Sequence, residues 1–287
     1  MHSQETTIDG RHTLVNRYDS LAEVTRVVRE DAEGKERDRG IHLNDSSWVG
    51  KRFDKKWDGP DGLTTVVNTT WSEGMTTVDG MMTKLRGAVT QKPRSRRRRR
   101  QWSDENGHDV CYDRLRAGQE QFWVTRQKRE VSGAATATIA VNVCANCNVG
   151  AMDILWRGAA ALCLADLLTE AGYAVEIVSG WWSVGCFTDK TSSFSAVTLK
   201  RGSDRLDRST LVNALSGWFF RTIGFGAWQV KSNGRTPTGN LGHAHKLEDE
   251  AVAVMTTDER AVVVDEVWNE SDAVEFVRNA LVEMKVL

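Results

Sequence analysis

Proline is nearly missing from this chain, with three residues among 287. So sparse a supply excludes a proline-rich spacer or a long disordered scaffold. Long hydrophobic runs are missing too. No stretch reaches the roughly 18 apolar residues that a membrane-spanning helix requires, and residues 1–10 are polar, without the apolar centre of a secretory leader. An excess of one charge is also absent. Thirty-eight Lys and Arg face thirty-nine Asp and Glu, for a formal net charge of −1. The molecule as a whole is therefore no basic nucleic-acid binder, and any such contact must come from a local patch. Cysteine is scarce and odd in number, five in all. That is no disulfide scaffold, so a reducing cytoplasm is the expected compartment and no membrane is involved.

What is present is an ordinary apolar content of 40% and eleven tryptophans. Residues 18–30 read as a short amphipathic helix, with Leu21, Val24, Val27 and Val28 on one face. Residues 75–85 place Met75, Val78, Met81, Met82 and Leu85 at helical spacing. These elements predict a small, mainly helical N-terminal segment over 1–92. An arginine-rich connection over 93–130 follows, opening with Arg94, Ser95 and five consecutive arginines, Arg96, Arg97, Arg98, Arg99 and Arg100. Like charges this dense repel one another, which fits a solvated linker. Guanidinium groups also neutralise phosphates, and nearby Trp102, Phe122 and Trp123 are of a type that stacks on bases. Arg94 and the five that follow are thus candidate nucleic-acid contacts.

From about 131 the character changes. Residues 135–144 form an apolar run without polar alternation, as in a strand covered on both faces. An alanine- and leucine-rich helix over 153–171 ends at Gly172, and residues 173–178 make the next strand. Strand, helix and strand in about 45 residues make a βαβ unit with parallel strands. Further strands are predicted at 194–200 and 262–267, and helices at 206–216 and 271–284. The stretch 219–230 reads as a helix end followed by a strand at 225–230. The expected architecture is a doubly wound, mostly parallel α/β sheet over 131–287.

In such sheets ligands sit beyond the carboxyl ends of the strands. The loop there carries Asn142, Cys144, Asn146 and Cys147. The Cys144/Cys147 pair has the Cys-x-x-Cys spacing of redox motifs and zinc half-sites, but zinc needs two further ligands. Cys111, Cys163, His243 and His245 are the available suppliers, and none shows paired spacing on a hairpin. His243 and His245, at i and i+2, would fall on one side of an extended chain. Asp265 and Glu266 close the last predicted strand. Trp181 and Trp182 follow the second core strand, where a partner would dock. The plainer reading makes Asn142 and Asn146 turn-forming residues, the cysteines small core residues and the histidines part of an exposed loop.

Residues 139–180 resemble a von Willebrand factor A-type core. The whole chain is similar to an uncharacterised bacteriophage and prophage family through YDSLAE (18–23), SSWVGKRF (46–53), WSEGM (71–75), the arginine tract and WRGAAALCLADLLTEAGYAVEIV (156–178). The first resemblance implies a Mg²⁺ site of pattern Asp-x-Ser-x-Ser. Here those positions are Asn142, Cys144 and Asn146, which lack the carboxylate and put a soft sulfur in a hard site. No cofactor, neither Mg²⁺ nor Zn²⁺, is therefore expected. No complete nucleophile–base–orienter set can be read either. The leading expectation is a non-enzymatic module that binds a protein partner through loops at the carboxyl end of its sheet. A nucleic-acid-associated protein tethered by residues 94–100 is the second, and an enzyme or metal protein using the Cys144/Cys147 loop the third.

Overall fold

Strand, helix and strand over 136–184 form the spine of the fold. The computed structural model describes residues 2–34, 70–89, 100–103, 109–126, 135–146, 149–230, 234–236, 243–256, 258 and 261–286. The first strands are β1 (His2–Ile8) and β2 (Arg11–Tyr18), followed by helices α1 (Leu21–Gly34) and α2 (Ser72–Ala88). A small three-stranded sheet, β3 (Arg100–Ser103), β4 (Asp109–Val110) and β5 (Trp123–Arg126), encloses the short helix α3 (Tyr112–Arg116) in sequence. The spine is β6 (Thr136–Asn142), α4 (Ala151–Glu170) and β7 (Ala174–Val184). After β8 (Ser192–Lys200) come α5 (Arg208–Ala214), α6 (Gly217–Phe219), a π-helical turn (Phe220–Gly224) and α7 (Phe225–Val230). The chain closes with β9 (His243–Ala244), α8 (Asp249–Met255), β10 (Val262–Val264) and α9 (Glu270–Glu283).

The main sheet has seven strands in the order β1-β2-β8-β7-β6-β10, with β9 pairing on β7. The pairs β2/β8, β6/β7 and β6/β10 are parallel, whereas β1/β2, β7/β8 and β7/β9 are antiparallel. The expectation of a doubly wound, mostly parallel von Willebrand A-like sheet is therefore corrected to a mixed sheet. A parallel neighbour needs a crossover of a dozen or more residues. β7 and β8 are joined instead by the short 185–191 turn, eased by positive φ at Gly185 (71°) and Lys190 (66°), which reverses the chain. The N-terminal segment, expected as mainly helical, carries two helices and also contributes strands to this sheet. β1 and β2 form a hairpin through Asp9 (φ 49°) and Gly10 (φ 67°), and β2 joins the sheet beside β8. Asp-Gly with both residues at positive φ is the turn that matches strand twist.

The two faces are covered unequally. On one, α1, α2, α4, the 208–230 helices and α9 bury Val24, Leu85, Ile139, Leu162, Ile177, Phe219 and Val277 in the main core. α4 lies at its centre, with almost every position from Ile154 to Leu168 buried. A buried leucine contributes on the order of 2 kcal/mol, so this helix alone is a major source of stability. Arg86 of α2 ties it down by reaching Asp166 (3.1 Å) and Glu170 (2.9 Å). The other face carries Val15, Val178, Trp182 and Phe194 under Leu247 and α8. A Cβ on Gly180 would stand 2.8 Å from the Met255 side chain, so glycine there lets α8 lie against the strands. The stretch 217–230 is helical throughout rather than a helix end and a strand. Among the described residues, no helix is long and apolar enough to cross a membrane.

Candidate functional site

β6 stops pairing with β7 at Asn142↔Gly180, while β7 runs on to Val184. The room beside that extension is taken by β9, where His243 pairs Val184 and Ala244 pairs Ser183. Loop 143–146, the β9 segment and the end of β10 therefore meet at the carboxyl ends of the parallel strands β6 and β10. This is the end at which α/β sheets bind ligands.

Asn142 is the hub, at 2% exposure. Its Nδ2 donates to the His245 carbonyl (3.0 Å) and to Asp265 Oδ1 (2.9 Å), and its Oδ1 accepts from the Cys144 backbone N–H (2.8 Å). The second Asp265 oxygen accepts from the Leu247 N–H (2.8 Å). One amide thus links the 142–146 loop, the 243–247 segment and the end of β10. Asn146 repeats the pattern on a smaller scale. Its Oδ1 accepts from the Ala244 N–H (3.2 Å), and its carbonyl accepts from Arg221 Nη2 (3.1 Å). Short polar side chains are suited to such work because they substitute for backbone partners.

Below the hub lies Arg157 of α4, 1% exposed. Its Nη1 donates to the carbonyls of Asn142 and Cys144 (3.1 Å to the latter), and its guanidinium lies 4.1 Å from the centre of the Trp268 ring. Burial lowers its pKa to about 10, against the pull of Asp265, Cys144 and Glu266, so it stays a cation at neutral pH. Cys144 is buried, and desolvation pushes its thiol up to about 12. A thiol so disfavoured as thiolate is a poor nucleophile and a poor metal ligand. Its Sγ faces the Trp182 carbonyl at 3.5 Å. His245 is half-buried, with its ring centroid 4.9 Å from that of Trp182.

The structure thus gathers the Asn142, Cys144 and Asn146 loop with Trp182 and His245, which are distant from it in sequence, at one end of the sheet. His243 joins them through its place in β9. Trp181 points to the opposite face, packed edge-on against Phe219. Both tryptophans are buried and present no ring to a partner. Cys147 and Arg94 and Arg96 to Arg99 lie outside the described residues, and of Arg100 only its place in β3 is described. Cys163 is buried within α4, and burial raises its thiol to about 12 as well. Among the described residues, no three His, Cys, Asp or Glu side chains are grouped to hold a metal.

Arg157, Trp268 and Arg221 were not read from the sequence as participants. Arg157 had a signal, since it is the one charge in the apolar run from Ile154 to Ala165. A cation inside a buried helix must have a structural or binding partner. Trp268 had none beyond its place after a strand.

Beside the hub, an open groove of about 400 Å³ runs between Lys246, Glu248, Asp265 and Glu266 on one side and Asp272 and Glu275 of α9 on the other. Leu247, Val263, Val267 and Phe276 supply its apolar lining. Among the described residues that line it, Lys246 alone offsets the carboxylates, and it is itself paired with Glu266 at 2.6 Å.

A family described as a domain of unknown function (DUF7192) matches residues 3–287. No curated protein and no solved structure matches the chain.

Proposed function

We propose that this chain, which belongs to the DUF7192 family, is a non-enzymatic binding module that engages a protein partner at the carboxyl end of its main sheet. The observation that carries the reading is the groove between the 246–248 segment and α9. Five carboxylates rim an apolar lining there, a combination suited to a basic, amphipathic segment of a partner. The chemically suggestive residues at this end of the sheet hold the fold together, Asp265 of the rim among them. Asn142 and Asp265 spend their polar atoms on one another and on backbone, and Cys144 is held as a thiol. A bacteriophage or prophage setting rests on the sequence resemblance alone.

The test is affinity capture from the natural source, comparing the parent chain with a Glu266→Lys/Glu275→Lys double variant. A specific partner captured by the parent and lost with the variant supports the module. A partner captured equally by both, or none at all, overturns it. Nucleic-acid contact through Arg94 and Arg96 to Arg100 is the second reading, carried by the arginine tract. It predicts salt-sensitive DNA or RNA binding that disappears when Arg96 to Arg100 become serine.

A further inference from the structure

The guanidinium of Arg157 is bonded along one edge only. Nη1 is satisfied by the carbonyls of Asn142 and Cys144, whereas Nε and Nη2, both buried, have no hydrogen-bond partner. Those two nitrogens carry parallel N–H bonds on the side of the planar group away from Cδ. This is the fork that grips both oxygens of a carboxylate or two oxygens of a phosphate. Leaving it bare in a protein interior costs free energy, and each such group calls for an explanation.

The neighbouring carboxylates do not supply one. Asp265 accepts from Asn142 and Leu247, Glu266 is paired with Lys246, and Asp272 accepts from the Trp268 and Asn269 nitrogens. No ion pair within 4.0 Å joins any of them to Arg157 among the described residues. The fork is also held in one orientation. The two carbonyl bonds fix the plane along one edge, and the Trp268 ring supports one face. Because that ordering exists before any ligand arrives, it adds nothing to the cost of binding. Asp265 and Glu266 are close enough to act on the charge without bonding to it.

We infer that the Nε–Nη2 edge of Arg157 is an oxyanion-binding site at the carboxyl ends of β6 and β10, taking a carboxylate or a phosphate group in bidentate fashion. The inference stands on Arg157 and does not depend on the groove or on a protein partner.

The experiment is nitrogen-15 NMR of the arginine Nε–H groups in the full chain, with the Arg157 signal assigned by through-bond correlation to its own backbone. Sodium phosphate and sodium acetate are titrated separately against sodium chloride at matched ionic strength. A saturable downfield shift of the Arg157 Nε–H with either oxyanion, absent with chloride, is expected. A response to phosphate alone assigns a phosphate-type ligand, and a response to acetate alone a carboxylate. An Arg157 signal that moves no more with phosphate and acetate than with chloride overturns the inference. As a second readout, each effective oxyanion should raise the thermal midpoint of the parent chain. It should not raise that of Arg157→Lys, which keeps the charge and loses the fork.

Discussion

Two buried polar clusters share the main sheet and are built on opposite terms. At the carboxyl end of β6, Asn142, Asp265 and the backbone of 144, 245 and 247 exchange hydrogen bonds across three segments distant in sequence. On the helix-bearing face of β2, β8 and β7, the register sets Asn16, Ser195 and Trp181 in one row, with Ser179 two residues along from Trp181. In that second cluster Asn16 Oδ1 accepts from Ser3, but Asn16 Nδ2, Ser179 Oγ, Ser195 Oγ and Trp181 Nε1 are buried without partners. Burial of a polar atom costs free energy in both places; the first cluster recovers it through bonds, the second only at Asn16 Oδ1. Equal burial therefore does not mean equal structural value. The first cluster positions loops, and the second burdens the core it sits in.

Substitutions should separate the two. The largest effect is expected for Asn142→Ala, which removes three hydrogen bonds and strands Asp265 Oδ1, the His245 carbonyl and the Cys144 N–H. Stability should fall by about 3 kcal/mol or more, read as a lower urea midpoint at unchanged m-value. A smaller loss should appear on raising pH. The Cys144 thiol is held up to about 12 in the folded chain, whereas in the unfolded chain it ionises near its ordinary value. Its contribution is thus complete below the unfolded pKa and is lost as pH rises toward 12, since the unfolded state sheds its proton first. Cys144→Ala should lessen the alkaline decline by about 1 kcal/mol at one unit above the unfolded pKa, measured as the pH dependence of unfolding free energy. The smallest effect belongs to the second cluster. Ser195→Ala discards a hydroxyl with no partner and should change stability by no more than about 0.5 kcal/mol, or raise it slightly. A large loss there would erase the distinction between the clusters.

The unequal clusters also mark where the sequence was readable. The β6–α4–β7 unit stood out because its signals are local: an uninterrupted apolar run, an alanine-rich helix and Gly172 as a stop. Residues 262–264 and 270–283 were legible on the same grounds. β1 and β2 were not, because His2 to Ile8 has almost no apolar pattern and lies at the sheet edge, five of its residues being exposed. The Asp9–Gly10 turn was the available clue. The direction of β8 depends on the length of the 185–191 turn, a feature that composition does not weigh. At the site, position beyond a strand end was enough to single out Asn142, Asn146 and Cys144. What holds them was hidden, because Asp265 lies 123 residues from Asn142 and only the fold brings the two together.

Asn142 acts as a structural fastener, its amide committed to Asp265, the His245 carbonyl and the Cys144 N–H. Asn142→Asp tests this role most directly, since it changes one amide to a carboxylate with almost no change of shape. It removes the donor that faces Asp265 and the His245 carbonyl and sets two carboxylates against each other. Stability should fall by about 2 kcal/mol or more in urea unfolding at neutral pH, with no recovery on adding millimolar Mg²⁺. A variant as stable as the parent, or one that Mg²⁺ stabilises, would contradict this role.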